Sequence, residues 1–475
     1  MRLRKTTTLA AGLLAMTALL GVSGMTRADK VDDYLKAEMA KRHIPGLSVA
    51  VVQDGKVVKE QGYGLANVEL SVPATVDTVY MLASISKQFT ATGIMLLVRD
   101  GKVGLDDGAG KYLDGLPKTW RGVTVRQLLN QISGIPEWVP NPNKDPLLKT
   151  YTLAEITRRA AAKPLAFTPG SRFEYSNTNY NLLAGIIEKA SGSPCGEFLR
   201  ARIFGPLGMS ATGPYDPMEI VGNRAAGYIR LGGKLFNNTL VYDPSLFSGA
   251  GGLQSTVGDM VKWDAALAAG TLLPASDLAQ MWTPPALPNG AHSGYGMGWV
   301  NQRLNGHRVL WHNGSLPGAM GFSGLFPEDH LTVILLSNMS PLDGFDEAYP
   351  FLPLGQGVAA LYIPALAPAQ EVEVPVLESG PQTDALLRRV SDQLAKNKLD
   401  LSLFAPSMQA ILTPSATGPA HALLAPLGKM TALTLTRTAP DGSALYRAVY
   451  GRTVVDWLIT VDKNHKITGL RPLPE

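Results

Sequence analysis

The chain has 475 residues, 45% hydrophobic and 17% charged, which supplies apolar material for a large core and excludes a disordered tail or a disulfide miniprotein. Its 43 Lys and Arg outnumber its 39 Asp and Glu, but Arg2, Arg4, Lys5 and Arg27 fall in the first 28 residues, which hold no acid, so the remainder is balanced and no nucleic-acid surface is implied. The single cysteine, Cys195, excludes an intramolecular disulfide; in the turn-like segment from Ser191 to Gly196, with no histidine near it, it is a poor candidate for a catalytic thiol.

Residues 1–28 read as a secretory signal peptide: basic residues, an apolar run from Leu9 to Val22, then small residues up to Ala28. The run is short for a bilayer span, so export to the periplasm or beyond without a stable membrane anchor is expected. Thr26-Arg27-Ala28 and Val22-Ser23-Gly24 compete as the cleavage site. Val31 to Arg42 has helical apolar spacing and Ile44-Pro45-Gly46 stops it. Leu47 to Gln53 and Lys56 to Tyr63 are strands joined by Asp54-Gly55, a tight-hairpin signal. Helices follow at Gln88 to Asp100, Thr124 to Gln131, Ala154 to Ala162 and Asn181 to Ala190, and strands return at Arg308 to Trp311, Gly321 to Phe326 and Leu331 to Leu336. Strands at both ends with helices between predict one α/β domain over residues 29–362, its sheet closed by non-local pairing. Residues 363–382, with prolines at 364, 368, 375 and 381, read as an extended linker. Residues 383–475 read as a small α+β module: an amphipathic helix from Thr383 to Lys396, then antiparallel strands at Ala432 to Arg437, Ala444 to Tyr450 and Thr453 to Val461.

The chain holds no Gly-x-Ser-x-Gly elbow, no His-Glu-x-x-His, no paired-cysteine zinc pattern and no phosphate-binding loop, so neither metal nor nucleotide cofactor is called for. It does hold one Ser-x-x-Lys, Ser84-Ile85-Ser86-Lys87, just before the apolar helix. A helix starting there puts Lys87 one turn from Ser84 on the same face. A desolvated lysine can take the hydroxyl's proton, and a helix N-terminus favours the anions that follow. Tyr175-Ser176-Asn177, delivered as a loop after Pro169-Gly170, offers a phenol suited to proton shuttling and an amide suited to holding a substrate carbonyl. His312-Asn313-Gly314-Ser315 ends a strand. Gly314 permits close backbone approach to substrate, the Ser315 N–H can pair with that of Ser84 as an oxyanion hole, and His312 can face a substrate carboxylate or tune Lys87 and Tyr175.

These three elements, in this order, resemble the serine β-lactamase and penicillin-binding-protein superfamily, in its class C-like serine hydrolase branch. Flanking segments agree with it: Leu128 to Pro136, Phe167 to Asn177, Pro206-Leu207-Gly208-Met209, Gly251 to Thr256 and Tyr295-Gly296-Met297-Gly298-Trp299. The resemblance covers about Val31 to Ser340. It implies a mainly antiparallel sheet flanked by helices, an inserted all-helical subdomain, and an active site between the two. It also implies a route in which Ser84 attacks a carbonyl to form an acyl-enzyme, Lys87 and Tyr175 move protons, Asn177, His312, Gly314 and Ser315 bind substrate, and no cofactor takes part. His312 departs from the third-motif lysine of typical class C β-lactamases; neutral histidine holds a carboxylate less well, so strong β-lactamase activity is not expected. Asn130-Gln131 stands where many relatives read Thr-His. The C-terminal module lies outside the resemblance and is similar to small NTF2-like accessory domains. The leading expectation is an exported serine hydrolase acting on a small ester, a D-amino-acid peptide or a β-lactam-like amide. The alternative is a penicillin- or peptidoglycan-binding protein that acylates slowly with little turnover. The sequence leaves the oligomeric state open.

Overall fold

The computed structural model describes residues 27–474 apart from 141–144, 146–147, 232–233, 289–292, 342–350, 368–380, 397, 410–423, 425–426, 439–442, 452 and 463. Nearly all of the expected signal peptide therefore lies outside the described residues. Among the described residues no helix is long and apolar enough to cross a membrane.

The hairpin signal at Asp54-Gly55 joins β1 (Gly46–Gln53) to β2 (Lys56–Asn67), with Asp54 at φ +51° and Gly55 at φ +73° as a primed turn requires. About 230 residues later come β3 (Val300–Leu304), β4 (His307–Leu316), β5 (Ala319–Phe326) and β6 (Leu331–Ser337). A short strand, Val72–Pro73, borders β2, and the sheet runs Val72–Pro73, β2, β1, β6, β5, β4, β3, antiparallel throughout. The closure between the chain's two strand-rich regions is β1 against β6, with Val51 opposite Val333.

The central strands are apolar at nearly every position because both faces are covered. On one face Val49, Val51, Val333 and Leu335 pack with Val31 and Leu35 of α1 (Arg27–Arg42). On the other, Ala50, Ile334 and Leu336 pack with Phe89 and Ile94 of α2 (Ser86–Arg99). The intervening chain carries α3 (Val125–Leu129), α4 (Leu153–Ala160), α5 (Asn177–Ser191) and α6 (Val257–Ala269). It also carries a hairpin, Tyr228–Leu231 with Lys234–Asn237, beside the expected helices.

One further helix, α7 (Phe351–Ala360), has no clear sequence signal, since Pro353, Gly355 and Gly357 argue against it. Packing overrides propensity: Leu354 and Val358 are buried in the α1 face, and a Cβ on Gly355 would lie 2.4 Å from the Phe322 ring. The linker does not begin at residue 363. Ile363 and Leu366 are buried in that same core, so the packed chain continues through Leu366, and residues 368–380 lie outside the described set. Beyond them, α8 (Pro381–Ala395) starts two residues before its expected N-terminus. A four-stranded antiparallel meander follows: β7 (Ala432–Thr438), β8 (Ser443–Tyr450), β9 (Thr453–Val461) and β10 (Ile467–Pro474). Leu387, Val390, Tyr446, Trp457 and Ile467 form their separate core.

Candidate active site

Ser84 lies in a single 3-10 turn, Ala83–Ile85, that runs directly into α2. Ala83 has φ +45°, a conformation a Cβ resists and that tertiary contacts must hold. Strand β4 supplies part of that hold. A Cβ on Gly314 would sit 2.1 Å from the Leu82 carbonyl oxygen and 3.2 Å from the Ala83 Cβ. Gly314 therefore lets the strand press against the serine turn.

Lys87 is one turn on, as the spacing requires, and its side chain is wholly buried. The Nζ donates to Ser84 Oγ at 3.1 Å, Asn177 Oδ1 at 2.8 Å and the Ala250 carbonyl at 2.6 Å, which uses all three ammonium hydrogens. The Tyr175 ring centroid lies 4.8 Å from the same nitrogen and that of Tyr180 5.5 Å. Burial pulls the lysine's pKa down to about 7, against a smaller upward pull from the Glu137 charge. On losing a proton, the amine keeps two donors for Asn177 and Ala250 and turns its lone pair to Ser84.

Asn177 is not in a loop; it is the first residue of α5. Ser176, the N-cap, makes no side-chain cap. The Glu137 carboxylate takes that place, accepting from Asn177 N at 2.5 Å, Thr178 N at 3.3 Å, Ser176 Oγ at 3.1 Å and Asn177 Nδ2 at 2.8 Å. An anion capping a helix N-terminus thus fixes the Asn177 amide, nitrogen to Glu137 and oxygen to Lys87. The amide thereby positions the lysine, and the second Nδ2 hydrogen is not used by either bond. Gln131 fastens the same segment: its Oε1 accepts from Ser176 N at 3.1 Å and Asn179 Nδ2 at 2.6 Å. The Asn130-Gln131 departure thereby acquires a role in holding the Tyr175 to Asn179 chain. Sequence reasoning missed Glu137, about 40 residues from its partners and marked by no local pattern.

His312 is buried, and burial together with the nearby Lys87 charge pushes its pKa down to about 3. Its Nδ1 is 2.6 Å from the Asn313 carbonyl, which can only accept, so Nδ1 carries the hydrogen. Nε2 then accepts from the Tyr295 hydroxyl at 3.0 Å, a phenol that burial holds protonated. The histidine is neutral with both nitrogens engaged, so it presents no charge to a substrate carboxylate.

Ser84, Tyr175, Asn177, His312 and Ser315 all line one cleft of about 460 Å³, walled by Phe173, Tyr295, Val300 and Trp311. No Lys, Arg, Asp or Glu lines it among the described residues. β4 pairs with β3 only from His307 to Trp311, so its edge at Asn313 and Ser315 is open toward the cleft, where an N–H can serve an oxyanion. Cys195 does not line this cleft: it starts a short helix, Cys195–Leu199, and burial pushes its thiol up to about 12.

A family profile described as Beta-lactamase matches residues 31–352. The chain belongs to this family. A penicillin-binding protein of Bacillus subtilis (strain 168) is 29% identical over 326 residues, covering 65% of this chain and 72% of that protein. Protein flp of Staphylococcus aureus (strain COL) is 26% identical over 336 residues, 66% of this chain and 63% of its own length, so less than two thirds of Protein flp is matched. D-amino acid amidase from Ochrobactrum anthropi SV3, solved with L-phenylalanine amide, superposes with a TM-score of 0.61 at 28% identity over 71% of this chain and 98% of that one. The octameric penicillin-binding protein homologue from Pyrococcus abyssi shares the fold over 94% of this chain and 98% of its own, with a TM-score of 0.64 at 24% identity. The β-lactamase-like fold and the serine hydrolase family expected from the sequence are thus established, with helices flanking a mostly antiparallel sheet.

Proposed function

We propose that this chain is an exported serine hydrolase that cleaves a neutral ester or amide through an acyl-enzyme on Ser84. The observation that carries the reading is Lys87: fully buried, 3.1 Å from Ser84 Oγ, with a pKa near 7. Such an amine takes the hydroxyl proton as the oxygen attacks the carbonyl carbon, forming the C–O bond of a tetrahedral intermediate. The Ser84 N–H and the open edge of β4 at Ser315 receive the oxyanion. Collapse of that intermediate breaks the bond to the leaving group, which takes a proton delivered through Tyr175 and Lys87. Water then adds to the acyl-enzyme with the same groups as base and releases the acid.

A cleft without a cation, closed at one end by a neutral histidine, favours substrates with no free carboxylate beside the scissile bond. The amidase relative makes amino acid amides the first class to try, and the aromatic walls suit an aromatic side chain. The penicillin-binding reading, with slow acylation and little turnover, draws on the name of the Bacillus relative and lacks a cation in the cleft to support it. A panel of p-nitrophenyl acetate, D- and L-phenylalanine amide and nitrocefin, run on wild type and Ser84→Ala, tests the proposal. Turnover of the ester or an amide that vanishes in Ser84→Ala supports it; a persistent nitrocefin adduct with no turnover of the others supports the alternative.

A further inference from the structure

Arg224 takes no part in the cleft described above. Its segment runs beside Val79, with Ala225 N donating to the Val79 carbonyl at 3.0 Å and Val79 N to the Asn223 carbonyl at 3.0 Å. The guanidinium lies 5.1 Å from the Tyr215 ring centroid, and Nη1 donates to the carbonyls of Asp216 at 2.8 Å and Glu219 at 2.9 Å. These contacts fix one side of the group. The other edge, Nε and Nη2, is buried without an acceptor, and Arg224 makes no ion pair among the described residues. That edge is the planar fork that matches a carboxylate.

Arg224 lines a cavity of about 120 Å³ roofed by the Pro317-Gly318 turn between β4 and β5. Ser337, at the end of β6, lines the same cavity; it is fully buried and its Oγ also lacks a partner. Asn238, a third polar wall, is already engaged, donating to the Pro317 carbonyl at 2.8 Å and accepting from Leu240 N at 2.9 Å; a fourth, Asn338, donates to the Leu65 and Ala66 carbonyls at 3.1 and 3.2 Å and keeps an unpartnered Oδ1, which the Ser337 hydroxyl or a protonated acid can serve. A charged fork and a hydroxyl thus line one cavity with their hydrogen-bonding capacity unmet, although such groups are normally satisfied when buried.

We propose that this cavity binds a small monocarboxylate. Both oxygens sit on Nε and Nη2 of Arg224, and the Ser337 hydroxyl is a further donor. Among the described residues Arg224 is the one cation on the walls, which matches a single negative charge better than a phosphate dianion. The volume suits acetate or propionate better than an aromatic acid. Hydrolysis of an ester or amide releases a carboxylate, so the ligand class is one that the proposed reaction itself produces. The site is nevertheless separate from the cleft: Ser315 lines one and Pro317 the other, and the two share no lining residue.

The test uses full-length protein whose Ser84 has been blocked by a fluorophosphonate, so that the cleft and its chemistry do not contribute. If Ser84 fails to react, Ser84→Ala serves instead, which separates this question from the hydrolase reading. Line broadening of fluoroacetate in ¹⁹F NMR is expected to saturate, to be reversed by acetate and propionate, and to be unaffected by chloride at equal ionic strength or by benzoate. Arg224→Gln should weaken binding by at least about tenfold and Arg224→Lys should also weaken it, because the charge is kept while the fork is lost. Ser337→Ala should weaken it severalfold, and this variant carries the test if Arg224→Gln does not fold. No saturable binding by the wild type, unchanged affinity in folded Arg224→Gln or in Ser337→Ala, or displacement by phosphate or chloride as effective as by acetate would each overturn the proposal.

Discussion

Replacing Glu137 by Gln keeps the side chain's size and removes the charge at the N-terminus of α5, and two consequences follow from the bonds it makes. Two unit charges separated by one amide and its two hydrogen bonds attract by about 2 kcal/mol at an effective dielectric near 20. Without that attraction the protonated form of Lys87 loses support, so its pKa falls below about 7 by roughly one to two units. Acylation requires the neutral amine. In wild type the acylation rate should therefore rise about tenfold per pH unit up to pH near 7 and level above it, and in Glu137→Gln the rising limb should move to lower pH. The second consequence is structural: a neutral amide cannot accept all four bonds now made by the carboxylate, and losing a charged cap costs about 1–3 kcal/mol. Pre-steady-state bursts with p-nitrophenyl acetate between pH 5 and 9, beside urea melts, measure both. A limb that stays put or moves to higher pH, in a variant that still folds, would refute the coupling of Glu137 to Lys87 through Asn177.

Other variants probe the remaining parts. Gly314→Ala forces a Cβ into the Leu82 carbonyl and should both destabilise by about 1–3 kcal/mol and lower acylation by roughly a hundredfold through displacement of the Ser84 turn, read by urea melts and burst rates. His312 has a folded pKa depressed from 6.5 to about 3, so the unfolded chain binds its proton first and stability falls as pH drops through this window. At pH 5 that loss is about 2 kcal/mol, and His312→Gln should lose correspondingly less between pH 7 and pH 5 in paired urea melts. The same variant should leave the rising limb near pH 7, because the histidine is not the group titrating there. An N-acyl amino acid amide should be cleaved with a higher kcat/KM than the matching dipeptide with a free carboxylate; the reverse order would contradict a cleft without a cation.

What was legible in the sequence is what depends on near neighbours. Asp54-Gly55 marks its hairpin, and the three-residue spacing of Ser84 and Lys87 puts one above the other on a helical turn. Where the sequence pattern alone stopped short, the cause is distance. The Ala250 carbonyl reaches Lys87 from 163 residues away, the Glu137 carboxylate lies 40 from Asn177, and neither leaves a trace in local composition. The contacts of Asn177 with Lys87 and of Gly314 with the Leu82 carbonyl were not legible either, because the folded sheet and α5 alone bring those partners together. Helix α7 was missed for the same reason: its Gly and Pro residues oppose helix locally, and the closeness of Gly355 to Phe322 and of Gly357 to Tyr34 is a tertiary fact.

The nucleophile is tested most directly by intact-protein mass spectrometry of wild type and Ser84→Ala during reaction with p-nitrophenyl acetate. A transient acetyl adduct that forms with the nitrophenol burst, maps to Ser84 and is absent in Ser84→Ala is the predicted result. An adduct on another residue, or equal nitrophenol release by Ser84→Ala, would contradict the acyl-enzyme on Ser84.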